Sequence, residues 1–145
     1  NKYFISKSNG RDLVKIDPVQ WAKKVEEYGA GEIIITSVNN EGLKQGYDIK
    51  LTKKIVEAVS LPVIAHGGAG TLEHIYDVIR YANVSGVGIA SMLHYDAVNF
   101  LPKSKTKIGN TQYLQAIKKK TKEQNTIQKI KNYLKKRKIV IRDEK

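Results

Sequence analysis

Cysteine is absent from the 145 residues, and methionine and tryptophan occur once each. Without cysteine there is no disulfide, no thiolate metal ligand and no thiol nucleophile, which suits a reducing compartment. A cytoplasmic location is therefore expected. The three histidines, His66, His74 and His94, share no metal-ligand spacing, so neither a metal nor another cofactor is predicted. Long apolar runs are missing too. None approaches the roughly 18 residues of a membrane span, and no basic-then-apolar leader opens the chain, so a membrane is not an expected partner. Acids are scarce in one place only. Residues 1–102 carry eleven Lys/Arg and eleven Asp/Glu, whereas residues 103–145 carry fifteen Lys/Arg against Glu123, Asp143 and Glu144. The net charge of +12 thus sits in the last third, which bears on partners and solubility rather than on fold. The chain opens on Asn1 rather than Met, from which an upstream segment is expected.

What is present suffices for a core: 41% of residues are hydrophobic, which excludes general disorder. KYFISK runs into SNGRD, and Asn9-Gly10 at its centre predicts a short hairpin within residues 2–16. Asp17-Pro18 starts a helix with Val19, Ala22, Val25 and Tyr28 at helical spacing, stopped by Gly29 and Gly31. Trp21 on that helix is assigned to packing. The run Ile33–Val38, rich in β-branched residues, predicts a strand buried on both faces, as in a parallel sheet. IKLTKKIVEAVS reads as a helix with Ile49, Leu51, Ile55, Val56 and Val59 inward. Pro62–Ala65 is a second strand, Thr71 caps a helix to about Tyr81, and Gly86–Ser91 is a third strand. Strand and helix alternate at spacings near 25 residues. The fold class is α/β with a parallel sheet, either doubly wound or an arc of a (βα)8 barrel. From Asp96 to Asn125 apolar periodicity is lost, a helical turn around Tyr113–Ile117 excepted, and a partly mobile basic insertion is expected. Thr126 starts a last helix with Ile127, Ile130, Tyr133 and Leu134 on one face, before a short apolar IVI at 139–141.

One stretch in this lysine-rich chain is bare of charge: PVIAHGGAG, residues 62–70. A strand that ends in Gly-Gly-x-Gly before a helix cap exposes backbone N–H groups with no side chains over them. An anion can approach, and the dipole of the following helix attracts it. Met92–Tyr95, after the third strand, would be the short extra helix that barrel phosphate sites use. The competing reading is a tight turn and close packing, since glycine-rich loops alone are weak signals. His66 sits at the strand tip, where it can touch a ligand. His74 is read as structural, His94 as capping a short turn, and Asp48 as a helix cap. The basic tail has the footprint of nucleic-acid binding, but only Tyr113 and Tyr133 interleave it. A solvated lysine face is the preferred account, and nucleic acid is not an expected partner.

GAGEIIITSVNNEGLKQGYD, LPVIAHGGAGTLEHI and GIASMLHY together resemble the second half of the cyclase subunit of imidazole glycerol phosphate synthase, the HisF family of histidine biosynthesis. The likeness runs from about Lys2 to Tyr95 and resumes in IKNYLKKRKIVIR, a terminal helix and tail. It implies the C-terminal half of a (βα)8 TIM barrel. Residues 1–95 would form the half-barrel, 96–125 an insertion, and 126–145 the last helix and tail of the same domain. The family's barrel has two similar halves, each with a phosphate cup. Ammonia from a glutaminase (HisH-like) subunit enters at the bottom and meets a phosphorylated ribonucleotide at the top. This lyase closes the imidazole ring and releases an aminoimidazole carboxamide ribonucleotide. The resemblance makes Glu41, Gly42, Gly67, Gly68, Ala90 and Ser91 the phosphate cup of this half and puts Thr36 near substrate. Glu32 would belong to the ammonia gate.

The departures carry weight as well. Asn39 stands where the family usually has an aspartate, and His66 where it commonly has serine; both join the expected substrate-binding set. The two catalytic aspartates of the family lie upstream of Asn1, so no catalytic residue is expected in this chain. A missing N-terminal half-barrel is then a required partner, because three strands cannot close a barrel and leave apolar surface bare. Two other readings stand beside the cyclase half: a HisF-like ammonia-channelling accessory of a surface-polysaccharide sugar amidotransferase, and a non-catalytic phosphate- or nucleic-acid-binding half-barrel.

Overall fold

A computed structural model describes residues 2–8, 10–100 and 125–142, the side chains of residues 98–100 excepted. The chain divides into two compact units, Asn1–Ile89 and Ala90–Lys145. The first opens on an antiparallel hairpin, β1 (Ile5–Lys7) and β2 (Asp12–Val14), with Ile5 opposite Val14. Gly10 N–H closes the turn on the Lys7 carbonyl at 3.2 Å, while Asn9 lies outside the described residues. Helix α1 (Pro18–Glu27) starts where expected, the Asp17 carboxylate accepting the N–H groups of Val19 and Gln20 at 2.9 and 3.1 Å. It ends in a Schellman closure: Ala30 N–H donates to Val25 and Gly29 N–H to Glu26, at 3.1 and 2.9 Å. Ala22 is buried, and Val19 and Val25 are half-buried. Tyr28, at the helical spacing of Val19, Ala22 and Val25, is exposed, because it caps the helix beyond the last turn of the stripe. Trp21 is 39% exposed and so is not a core residue.

Three strands and two helices follow: β3 (Ile33–Thr36), α2 (Ile49–Val56), β4 (Val63–His66), α3 (Leu72–Ala82) and β5 (Gly86–Val87). The strands pair in parallel in the order β3-β4-β5, with Ile33 opposite Val63 and Ile64 opposite Gly86. Ala22, Leu51, Ile55 and Val63 form a buried cluster, and Tyr3, Val19, Ile33, Ile35, Val56 and Val59 pack against it. Ile75, Val78 and Ala82 bury α3. The expectation of a strand buried on both faces fails for β3. Ile33 and Ile35 go under the helices, but Ile34 is 62% exposed and Thr36 is exposed as well. Side chains alternate along a strand, and the helices of this unit cover one side only.

The third strand is also shorter than the run Gly86–Ser91 suggests. Gly86 and Val87 pair with β4, and Gly88 adds one bond, its N–H donating to Ala65 at 2.7 Å. Beyond His66 the neighbouring chain turns away through Gly67 and Gly68, at φ +86° and +113°, so later residues find no ladder to join. Ser91 instead opens a helix.

In the second unit α4 spans Ser91–Phe100, longer than the short helix expected at Met92–Tyr95 and reaching past Asp96. Met92, Leu93, Tyr95 and Ala97 are spread around its axis rather than lined along one stripe, which is why periodicity gave no signal. Asp96 is buried and accepts both the backbone N–H (3.1 Å) and the side-chain amide of Asn125. Residues 101–124, which hold most of the predicted insertion and the turn at Tyr113–Ile117, lie outside the described residues. The last helix, α5 (Ile127–Lys136), is capped by Thr126, whose hydroxyl accepts Lys129 N–H at 3.1 Å. Ile130 and Leu134 are buried, whereas Ile127, expected on the same face, is exposed in the first turn. The Arg137 guanidinium lies 3.7 Å from the centre of the Tyr133 ring. The apolar 139–141 stretch forms no strand. No helix among the described residues is long and apolar enough to cross a membrane.

Candidate functional site

Thr36 and His66 end β3 and β4 as register partners, so their side chains stand together on the face that the helices leave open. Thr36 Oγ1 lies 3.1 Å from His66 Nδ1. The imidazole rests against Gly88 in the next strand's exit, where an added Cβ would come 2.7 Å from His66 Cδ2. Any side chain at position 88 would displace the ring.

Behind the histidine, Gly67, Gly68 and Ala69 are buried. A Cβ on Gly68 would sit 2.0 Å from the Gly46 carbonyl oxygen, and one on Gly70 would sit 2.2 Å from that of Lys44. The glycines thus make room for the backbone of the loop between β3 and α2. That loop is laced to its neighbours. Gly46 N–H donates to Gly68 and the Asn40 side-chain amide to Gly46, both at 2.8 Å. Ser37 donates to Asn40 Oδ1 at 3.1 Å, and the Tyr47 hydroxyl donates to the Gly88 carbonyl at 3.0 Å. Tyr47 is buried, and this raises its phenol above the ordinary value. Close packing accounts for the choice of glycine at 68 and 70 while leaving amides over: among the described residues the N–H groups of Gly67 and Gly68 have no protein acceptor. Turned, buried N–H groups beside a hydroxyl and an imidazole, at the carboxyl ends of parallel strands, suit an oxyanion.

The remaining predicted residues are spread more widely. Asn39, Glu41 and Gly42 are exposed on the β3–α2 loop, with Glu41 Cβ 3.5 Å from the Cβ position at Gly67. Ala90 and Ser91 belong to the second unit, where the Ala90 carbonyl accepts His94 N–H at 2.9 Å and Ser91 begins α4. Glu32 is exposed before β3, about 13 Å along the strand from Thr36. Asp48 caps α2 as expected, accepting Leu51 N–H at 2.9 Å and the Tyr3 hydroxyl at 3.2 Å. Partial burial, then the Asp48 charge, raise the Tyr3 phenol. His74 lies in the first turn of α3 with its ring facing Gly46, and its Nδ1 is buried without a partner among the described residues. No three His, Asp or Glu among the described residues gather as a metal site. Sequence reasoning missed Ser37, Asn40 and Tyr47, which shape the rim. The single aromatic residue inside the polar NNEGLKQGYD loop was the available signal.

A family model described as histidine biosynthesis protein matches residues 1–99. The chain belongs to that family. The family is a TIM barrel, and the three parallel strands with their helices seen here form part of such a barrel. The imidazole glycerol phosphate synthase subunit HisF of Prochlorococcus marinus (strain MIT 9515) is 49% identical over 94 residues, covering 65% of this chain and 37% of that protein. HisF of Lachnoclostridium phytofermentans is 52% identical over 91 residues, 63% of this chain and 35% of its own length. HisF of Sulfurisphaera tokodaii is 42% identical over 105 residues, 72% and 41% respectively. The chain therefore spans 35–41% of the length of these relatives.

Proposed function

We propose that this chain supplies the C-terminal half of a HisF-type cyclase, the lyase of histidine biosynthesis that forms imidazole glycerol phosphate and an aminoimidazole carboxamide ribonucleotide. Its task is to hold one phosphate of the bisphosphorylated ribonucleotide. Gly67 and Gly68 supply N–H donors, Thr36 and His66 line the approach, and Asn39, Glu41 and Gly42 form the outer wall. Ala90 and Ser91, at the start of α4, are carried into this set by the family resemblance alone. Acid–base chemistry comes from carboxylates of the family's N-terminal half, and ammonia from a glutaminase subunit by way of the strand ends near Glu32. The observation that carries this reading is the pair of unpartnered amides at Gly67 and Gly68 beside the Thr36–His66 contact.

The test is reconstitution. The chain is mixed with the N-terminal half of the Prochlorococcus marinus HisF and supplied with ammonium and the bisphosphorylated ribonucleotide. Imidazole glycerol phosphate should form in the mixture and with neither half alone. A stable mixed barrel that binds the ribonucleotide no better than the N-terminal half alone would remove this chain from substrate binding.

A further inference from the structure

We propose that His66 is a proton-controlled donor to an oxyanion held at Gly67 and Gly68. This rests on the reading of the rim as an anion site and adds a residue that sets how tightly the site holds charge. Three features of the geometry converge. The Nδ1 edge of the ring is engaged by Thr36 Oγ1 at 3.1 Å, which fixes its orientation. Gly88 keeps the space the ring occupies, since a Cβ there would meet Cδ2 at 2.7 Å. Nε2 has no protein partner among the described residues, and the free amides begin one residue further along the same turn.

A neutral ring that accepts the Thr36 hydroxyl proton at Nδ1 carries its own proton on Nε2 and can donate it. Adding a second proton turns Nδ1 into a donor toward Thr36 and keeps Nε2–H in place. The geometry is unchanged while a full positive charge appears beside the amides. Charge-assisted hydrogen bonds are about twice as strong as neutral ones. The ligand class is a dianionic oxyanion, and its affinity should rise as His66 protonates and fall as pH rises. Ionisable groups on the loop and helix that meet the glycine turn include Glu41 and Lys44 on the β3–α2 loop, Tyr47 at its end, and His74 on α3. Burial keeps the Tyr47 phenol protonated. Glu41 and His74 are the groups the test must separate from His66.

Sulfate is the probe, because its charge stays constant where a phosphate ester titrates. The full chain is titrated with sulfate while the Gly67 and Gly68 amides are followed by NMR at about pH 5.5 and about pH 8.5. The expected result is roughly tenfold tighter binding at the lower pH. His66→Gln should bind weakly and equally at both. Independently of any variant, sulfate should shift the titration of the His66 ring to higher pH and leave that of His74 unmoved. Thr36→Val should alter the tautomer signature of the ring nitrogens. Equal affinity at both pH values, or a pH dependence that survives His66→Gln, overturns the role of His66 and leaves the amide site standing. If the Gly67 and Gly68 amides respond to sulfate at neither pH, both readings fall.

Discussion

The two faces of the three-stranded sheet come from the same alternating residues and end in different surroundings. On one, Ile33, Ile35, Val63 and Ala65 lie under the helices, continuous with Ala22, Leu51 and Ile55. On the other, Ile34, Thr36, Ile64 and His66 share a surface with Gly86 and Gly88, and no helix among the described residues of the first unit covers it. The covered face is aliphatic throughout. The open face is aliphatic near the strand starts and polar at the carboxyl ends, where the hydroxyl, the imidazole and the free amides gather. The difference separates what holds this unit together from what it offers to a ligand or a closing half-barrel. Full burial of an isoleucine contributes about 1.5–3 kcal/mol, so the bare Ile34 is a reserve of stability that only a cover can realise.

The most damaging change should be at the seam between the faces. Gly68→Ala sets a Cβ 2.0 Å from the Gly46 carbonyl at φ +113°, and no flexible side chain is there to yield. A loss of about 3–5 kcal/mol is expected from chemical denaturation. A loss under about 1 kcal/mol would mean that the two loops separate freely. Next comes a matched pair. Ile55→Ala, in the buried cluster, should cost about 2–5 kcal/mol. Ile34→Ala, on the open face, should cost at most about 0.5 kcal/mol in the chain alone. Mixing the chain with an N-terminal half-barrel sharpens the comparison, since Ile34→Ala should then weaken the complex measurably. Equal costs for the two substitutions in the isolated chain would erase the distinction between the faces.

How far this contrast was legible in the sequence differs from residue to residue. The βα order, the caps at Asp17, Asp48 and Thr71, the start of the last helix at Thr126, and the inward face of α2 follow from local chemistry, which acts over three or four residues. The run Ile33–Val38 announced a strand but not its surroundings: three isoleucines in succession look the same whether one face is covered or two. The glycines at 68 and 70 stand out in the sequence, yet their close neighbours are the carbonyls of Gly46 and Lys44, more than twenty residues away. The pairing of His66 with Thr36 and Gly88 depends on strand register, and periodicity carries no register between strands. The length of α4 escaped because its apolar residues surround the axis.

Smaller effects probe how the faces are tied. Tyr47→Phe keeps the buried ring and removes the hydroxyl that donates to Gly88 at 3.0 Å. It should cost about 0.5–1.5 kcal/mol, with the Gly88 carbonyl left to find water. The phenol also has a pH signature. Its folded-state value is raised, so its contribution is intact below the unfolded value of 10.0 and is lost as pH rises above it. Denaturation midpoints of the wild type should therefore fall on the alkaline side more steeply than those of Tyr47→Phe. An alkaline limb shared equally by both would assign it to other tyrosines.

The smallest effect is expected at the opposite end of the sheet. The Glu26 carboxylate accepts the Ser60 hydroxyl and, at 2.8 Å, the Ser60 N–H, and these bonds hold it below the usual carboxylate range. A depressed folded value stabilises above the unfolded one and is lost as pH falls through the folded one. Ser60→Ala should accordingly flatten the acid side of the stability curve slightly, and added salt should change the difference little, because a hydrogen bond to the backbone N–H remains. Exposed contacts of this kind are weak because water competes for both partners. If Ser60→Ala instead rivalled Ile55→Ala, the covered face would owe its hold to its polar ties rather than to aliphatic packing, and the contrast between the faces would have to be drawn by hydrogen bonding.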